Sequence, residues 1–413
     1  MFQTHPLDLP EIRSRIATSL GRKDLASCAR VSQDWNDSFT PSLYNSVILS
    51  EHGLSKETFE RNKHLIRRLV FRRSYENLHR TSQVNDVPSV LANSTLTELH
   101  LASNLIGCNE AQELSEALKT NSTLTTLHLE NNPVRDSGAH ALSEALKSNS
   151  TLTNLHLKNN SIGPDGVQAL SEALKTNSTL TTLELVNSIG ENGAQALSEA
   201  LKTNSTLTTL LLEDNLIGPD GAQALSEALK INSTLTTLNL YNSSIGDHGA
   251  QVLSEALKTN STLTTLHLWR TSIGDNGAQA LSEALKTNST LTILNLQDNY
   301  IRPDGAQALS KALRTNSTLT TLSLNNNLIR DNGAQALSEA LKINRTLTTL
   351  NLQYNLIGDN GVQALSEALK TNRTVTIFNS IGVNGAQSLS EAIKSNLTVA
   401  ITGVLVRRPS SAT

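Results

Sequence analysis

Cysteine is almost missing from this chain, with Cys28 and Cys108 the only two, far apart in sequence. A disulfide framework and a paired-thiol metal or redox site are therefore excluded. Aromatic residues make up 3% of the sequence, so the core is aliphatic and any exposed ring is conspicuous. No apolar run approaches the roughly 20 residues that a membrane span requires. The opening MFQTHPLDLP has no basic segment leading into an apolar one, so we expect no secretory leader, no membrane association and a cytoplasmic or nuclear location. Charge of one sign is lacking too. The net charge is −3, residues 1–90 carry 13 Lys+Arg against 10 Asp+Glu, and the remainder carries 21 against 27. Neither part has the basic excess of a nucleic-acid binder. The phosphate loop GxxxxGK[ST], the nucleophile elbow GxSxG and the zinc helix HExxH are absent, so no catalytic residue, enzyme activity or cofactor is expected.

What the chain has instead is one phrase, repeated. A unit reading LTTLxLxxNxIGxxGAQALSEALKTNST begins at Leu96, Leu124, Leu152, Leu180, Leu207, Leu235, Leu263, Leu291, Leu319, Leu347 and Val375, in nine steps of 28 residues and one of 27. A period of this size marks a solenoid. Leucines at relative positions 0, 3 and 5, with asparagine at 8, mark a short strand passing into a loop. Leu127 and Leu129 then face inward, while Thr126, His128 and Glu130 face the other way.

In the second half of the unit beginning at Leu263, Ala278, Leu281 and Leu285 recur at helical spacing. Asp275 is expected to cap the first turn of that helix, and Asn288 to end it as a left-handed residue. The IGxxG glycines serve the turn into the helix. Glu283 and Lys286 form a solvated pair on its far side. A lone strand and helix cannot bury their own apolar stripes, so neighbouring units must stack. The 27-residue unit drops a loop residue and its ladder asparagine, and we expect an irregularity from Val186 to Ile189.

The wording LxxLxLxxNxIGxxGAxALSEALKxN resembles the ribonuclease-inhibitor type of leucine-rich repeat over about residues 96–396. The resemblance implies an α/β solenoid, a horseshoe with an inner parallel β-sheet and outer α-helices, that binds proteins on its concave side and catalyses nothing. We place the array at residues 96–398, in about eleven repeats, after a linker and capping region at 51–95 in which LIRRLVF at 65–71 is a degenerate first strand. Residues 399–413 supply a closing strand, Val399 to Val406, and a tail.

Residues 1–50 are written differently. Ile12, Ile16 and Leu20 lie at helical spacing, and Leu25, Val31 and Trp35 follow on what we read as two further short helices. The Leu-Pro start at Leu9 and Pro10, the DL at Asp24 and Leu25, and VSxxW in place of VCxxW resemble the F-box over about 40 residues. That resemblance implies an apolar surface for a Skp-type adaptor made by Leu9, Pro10, Ile12, Ile16 and Leu20, with Trp35 holding the helices together. Ile16 and Leu20 fall one residue closer to the Leu-Pro pair than is usual in that family.

Helix and turn positions barely change between repeats, but the strand positions that face outward do. Relative position 6 holds Val186, Glu213, Tyr241, Trp269 and Gln297 among others, and position 7 holds Asn187, Arg270, Asp298 and Tyr354. Variation confined to one exposed column marks where a partner is read. Tyr241 and Trp269, in consecutive repeats, should be neighbours about 4.8 Å apart in strand spacing, flanked by Arg270 and His267. Tyr, Trp and Arg are the residue types enriched at interface hot spots. With Glu213, Gln297, Asp298 and Tyr354, these residues form the expected partner-binding set. Ser243 and Thr271 replace the ladder asparagine in the same two units, which should loosen those loops.

His100, His128 and His156 occupy one column in three successive repeats. Three imidazoles at strand spacing could bind a transition metal or titrate together. Copied repeats duplicate residues without selecting them, and the sequence gives the column no cysteine and no close carboxylate, so no metal is expected. The N-x-T triplet recurs in phase from Asn93 to Asn372. It reads as a helix-end cap and not as a glycosylation acceptor.

The sequence thus points to a protein-interaction subunit, monomeric outside its complex. An F-box-like domain would engage a Skp-type adaptor and a cullin ubiquitin ligase, and the repeats would hold an unknown protein substrate. Two alternatives stay open: a regulator resembling the Ran GTPase-activating proteins, which share this repeat type, and a plain scaffold or sensor. The tail RRPSSAT lacks the long acidic extension that the Ran-regulating family implies.

Overall fold

Three leucines per unit decide the fold. Leu263, Leu266 and Leu268 are fully buried while Thr265 and His267 between them are half-buried, the alternation of a strand with one dry face. The structure is a computed structural model that describes residues 46–49, 61–71, 90–92 and 95–378. Leu9, Pro10, Ile12, Ile16, Leu20 and Trp35, and the closing strand at Val399 to Val406, lie outside the described residues.

The chain forms two compact units, Met1–Ser161 and Ile162–Thr413. In the first, parallel strands β1 (Ser46–Leu49), β2 (Arg68–Phe71), β3 (Glu98–His100), β4 (Thr126–His128) and β5 (Asn154–His156) pair in chain order, with helices α1 (Cys108–Thr120) and α2 (Arg135–Leu146) after β3 and β4. In the second, β6 (Thr182–Glu184), β7 (Thr209–Leu211), β8 (Thr237–Asn239), β9 (Thr265–His267), β10 (Ile293–Asn295), β11 (Thr321–Ser323), β12 (Thr349–Asn351) and β13 (Thr376–Phe378) do the same. They alternate with α3 (Pro164–Leu174), α4 (Gly190–Leu201), α5 (Gly218–Leu229), α6 (Gly246–Leu257), α7 (Asp275–Leu285), α8 (Pro303–Leu313), α9 (Arg330–Leu341) and α10 (Asp359–Leu369). This is the α/β solenoid that the leucine pattern implies. Among the described residues no helix is long and apolar enough to cross a membrane.

Strand β2 lies within LIRRLVF, with Leu69 opposite Leu99 and both fully buried. Strand β1 extends the sheet into residues that the sequence places in the helical module. Register is inherited from repeat to repeat: Leu238, Leu266 and Leu294 are aligned partners across β8, β9 and β10.

Helices pack on the leucine side, and Ala278, Leu281, Ala284 and Leu285 of α7 are buried. The second glycine of IGxxG is not in the turn. Gly277 lies inside α7, and a Cβ there would stand 3.0 Å from the Ala250 Cβ of the preceding helix. Glycine is needed because consecutive helices approach closely at that point. The solvated pair is formed, with Lys286 Nζ 2.6 Å from Glu283 Oε1.

Two expected caps act on the neighbouring repeat instead of their own. Asp275 does not cap α7. Its Oδ1 accepts from Arg302 N and Gly305 N, both at 2.8 Å, at the start of α8. Asp247 does the same for Gly274 and Gly277, and Asp331 for Gly358 and Gly361. These carboxylates satisfy free N–H groups at a helix start, where the dipole also favours negative charge. Nor is Asn288 a left-handed residue, since it is not among the positive-φ positions. Its Oδ1 accepts from Thr290 N and Leu291 N at 3.1 and 2.8 Å. Its Nδ2 donates to Leu257 O, the last carbonyl of α6, at 2.8 Å. Every N-x-T asparagine from Asn149 to Asn372 is buried in this way, which leaves no room for a glycan.

The 27-residue unit departs from expectation in an instructive way. Val186 is buried, not exposed, and Asn187 keeps the ladder: its Oδ1 accepts from Ile162 N at 3.3 Å, and its N–H donates to Asn215 Oδ1 at 2.8 Å. Regular units carry a positive-φ residue at position 7, such as Asn159 and Asp214, but residues 186–188 contain none. The deleted residue is thus the left-handed one, and the asparagine has moved up by one.

Candidate protein-binding face

The sheet face away from the helices presents relative positions 2, 4 and 6 of each repeat. Position 7 follows in a left-handed turn: Arg270, Asp298 and Tyr354 have φ of 56°, 50° and 56°. Asparagine and aspartate tolerate that conformation better than other non-glycine residues, which accounts for Asn131, Asn159, Asp214, Asn242, Asp298 and Asn326 there. Arg270 and Tyr354 occupy it against that preference.

Tyr241 and Trp269 meet as expected, with ring centroids 4.4 Å apart and planes tilted by 34°. Both are half-buried. Trp269 Nε1 donates to Asp298 Oδ2, and Gln297 Nε2 donates to the same oxygen at 2.9 Å. On the other side, Asn239 Nδ2 donates to Glu213 Oε1 at 2.5 Å, and Asn239 Oδ1 accepts from Tyr241 N at 3.0 Å. Glu213, Tyr241, Trp269, Gln297 and Asp298 are thus one continuous surface over β7 to β10. His267 lies on the same face, between Asn239 and Asn295. Burial lowers its pKa, so its ring is neutral at pH 7. Arg270 is exposed, and among the described residues nothing binds its guanidinium. Tyr354, 50% exposed, lies three repeats further on, about 14 Å away at the usual strand spacing.

Ser243 and Thr271 do not dangle. Both are fully buried, with Thr271 Oγ1 donating to Leu268 O at 2.7 Å and Ser243 Oγ to Leu212 O at 3.3 Å. What is lost is the clasp between repeats. Asn299 Oδ1 accepts from Thr271 N and Ile273 N, at 3.1 and 2.9 Å, but the shorter hydroxyl side chains give Asn215, Ile217, Ser243 and Ile245 no such acceptor. Two adjoining rungs are thinned directly beside the aromatic pair.

The asparagines that support the face, Asn239 and Asn295, give no signal in the sequence, where each looks like one more polar strand residue. A row of exposed apolar loop residues that includes Leu216, Tyr300 and Leu356 also lies outside the expected set. The histidine column, expected to have no close carboxylate, has two. His100, His128 and His156 are stacked at 4.0 and 4.4 Å, nearly parallel. Glu98 Oε1 is 2.6 Å from His100 Nε2, and Glu130 Oε1 is 2.9 Å from His128 Nδ1. Burial, only partly offset by the Glu98 hydrogen bond, lowers the His100 pKa. Burial acts to raise the Glu130 pKa, but the hydrogen bond with His128 and the neighbouring charges outweigh it and hold the carboxyl below its usual range.

Comparison with known proteins places this geometry among repeat proteins. Residues 82–404 match the family profile described as the NLRC3 LRR domain. No curated protein matches the chain significantly. Among solved structures, the complex of Rad7 and Elc1 in yeast is similar at 16% identity and a TM-score of 0.50, over 97% of this chain and 91% of that one. Actin-binding site 2 of leiomodin-1 is 29% identical over 37% of this chain and 88% of that one, with a TM-score of 0.33.

Proposed function

The chain belongs to the NLRC3 leucine-rich-repeat family, and from that premise we propose that it is a protein-interaction subunit that captures a protein target on the face formed by β7 to β10. The observation that carries the reading is the Tyr241–Trp269 pair beside an unengaged Arg270, in an array whose other repeats from Leu96 to Leu347 carry no aromatic residue at relative position 6. Stacked rings bury large area with little rotamer entropy to lose, and the exposed guanidinium supplies a directional polar contact. Asp298 and Gln297 hold the indole in place before a partner arrives, which lowers the entropy lost on binding.

The finer part of the proposal concerns delivery. The F-box resemblance of residues 1–50, through Leu9, Pro10, Ile12, Ile16 and Leu20, supports recruitment to a Skp-type adaptor and a cullin ubiquitin ligase. Ubiquitin transfer then belongs to the partners, and this subunit acts by raising the local concentration of its target.

Two measurements test the proposal separately. Proximity labelling in cells, comparing the parent chain with Trp269→Ala, should show a set of prey that vanishes in the variant, and an unchanged set removes the binding face. Pull-down with a Skp-type adaptor should succeed with the intact chain and fail with the Pro10→Ala, Ile16→Asp double variant. If the intact chain does not bind, the ligase link is removed and the scaffold reading remains.

A further inference from the structure

The histidine column belongs to the first unit, plays no part in the proposed binding face of β7 to β10, and contains a ligand set. His128, Glu130 and His156 each offer a donor atom, and the three donors lie within 4.8 Å of one another. The strands hold them there: β4 and β5 are paired with His128 opposite His156, and Glu130 projects from the same face two residues after His128. All three are half-buried. Glu130 Oε1 is engaged by His128 Nδ1, but Oε2 is buried with no hydrogen-bond partner. A carboxylate oxygen removed from water and left unpaired is unfavourable, and a bound cation would satisfy it.

We propose that His128, Glu130 and His156 form a site for one divalent transition-metal ion of the zinc, nickel or copper type, with water completing the shell. Two imidazoles and one carboxylate match the borderline preference of these ions and leave an open coordination position. The rings stand parallel, at an interplanar angle of 4°. One ring nitrogen of each histidine and a Glu130 carboxylate oxygen already lie within 4.8 Å of one another, close enough to share one ion. The second triad, Glu98, His100 and His128, is the poorer site. Arg68 Nε sits 3.0 Å from His100 Nε2 and 3.2 Å from Glu98 Oε1, so a fixed cation already occupies that end. The close carboxylates of Glu98 and Glu130 remove the ground on which no metal is expected from the sequence.

Titration of the full-length, metal-stripped protein with zinc chloride at pH 7.5, followed by calorimetry, is the test. Saturable binding of one equivalent is expected. It should weaken at least tenfold in Glu130→Gln and in His156→Ala, and change less than threefold in His140→Ala, whose ring is exposed on α2. Circular dichroism of each variant establishes that it is folded, and the near-isosteric Glu130→Gln change keeps the test independent of packing. Absence of saturable binding overturns the proposal. So does binding that survives both substitutions, or that is lost only with Glu98→Gln and His100→Ala.

Discussion

The indole N–H of Trp269 donates to the carboxylate of Asp298, one repeat further along the array. The ring is thereby tied on one side to Asp298 and stacked on the other against Tyr241. Its orientation belongs to three repeats at once, and no single unit could set it.

That arrangement has a spectroscopic consequence. Trp35 and Trp269 are the only tryptophans, so a Trp35→Phe background isolates the second. In that background, Asp298→Ala should lower the fluorescence anisotropy of Trp269 and raise its quenching by acrylamide. Unchanged values would mean that stacking on Tyr241 alone fixes the ring.

Arg270 holds a left-handed backbone that asparagine or aspartate adopts in most other repeats. Arg270→Asn should therefore stabilise the protein, by about 0.5–1 kcal/mol, in urea unfolding. The same change should reduce the prey recovered by proximity labelling. Stability and binding moving in opposite directions would show that the arginine is kept for its side chain.

Because Asp275 caps α8 and not its own helix, Asp275→Ala should cost about 1 kcal/mol. The loss should also be displaced along the chain. Hydrogen exchange should accelerate at Arg302 and Gly305, where the two N–H donors lie. Acceleration confined to the first turn of α7 would contradict the assignment.

Restoring the missing rung tests the other clasp. Thr271→Asn places an amide where Asn299 and Asn327 carry theirs, within reach of Leu240 O and of the N–H groups of Ser243 and Ile245. A gain of about 1–2 kcal/mol is expected, measured by chemical denaturation. A loss would indicate that the longer side chain does not fit the fully buried threonine site.

The histidines set a pH dependence. Burial lowers the pKa of His100 and of His267. Below the ordinary histidine pKa of about 6.5 the unfolded chain therefore takes up protons that the folded chain does not. Their contribution to stability is complete above that pH and is lost as pH falls through the lowered folded values. The Glu130 carboxyl, held low mainly by its hydrogen bond with His128 against the effect of burial, adds a loss at still lower pH. The melting temperature should drop between pH 7.5 and 5.5, and His267→Gln should flatten that drop.

Much of this was legible in the sequence. The leucine spacing gives strands and helices, the constant period gives the stacking direction, and shared position in consecutive repeats gives the Tyr241–Trp269 contact. The acceptors were not legible. Whether Asp275 binds Gly277 or Gly305 depends on how far one repeat rises over the next, and both lie at a helix start. Counting from the first leucine puts Val186 in the exposed column, and counting fails after a deletion whose location is unknown. The carboxylates of the histidine column were within reach of the same reasoning. Glu98 and Glu130 each lie two residues from a histidine, so period-two alternation puts them on its face.

Helix α7 receives its opening cap from Asp247 in the repeat before it, and its final carbonyl, that of Leu285, is bound by Asn316 in the repeat after it. No segment one period long can therefore be autonomous. Excising the copy that carries α7 would take Asn288 from the last carbonyl of α6 and Asp275 from the first turn of α8, so the smallest piece able to fold on its own must span several periods, and it should melt cooperatively and not copy by copy.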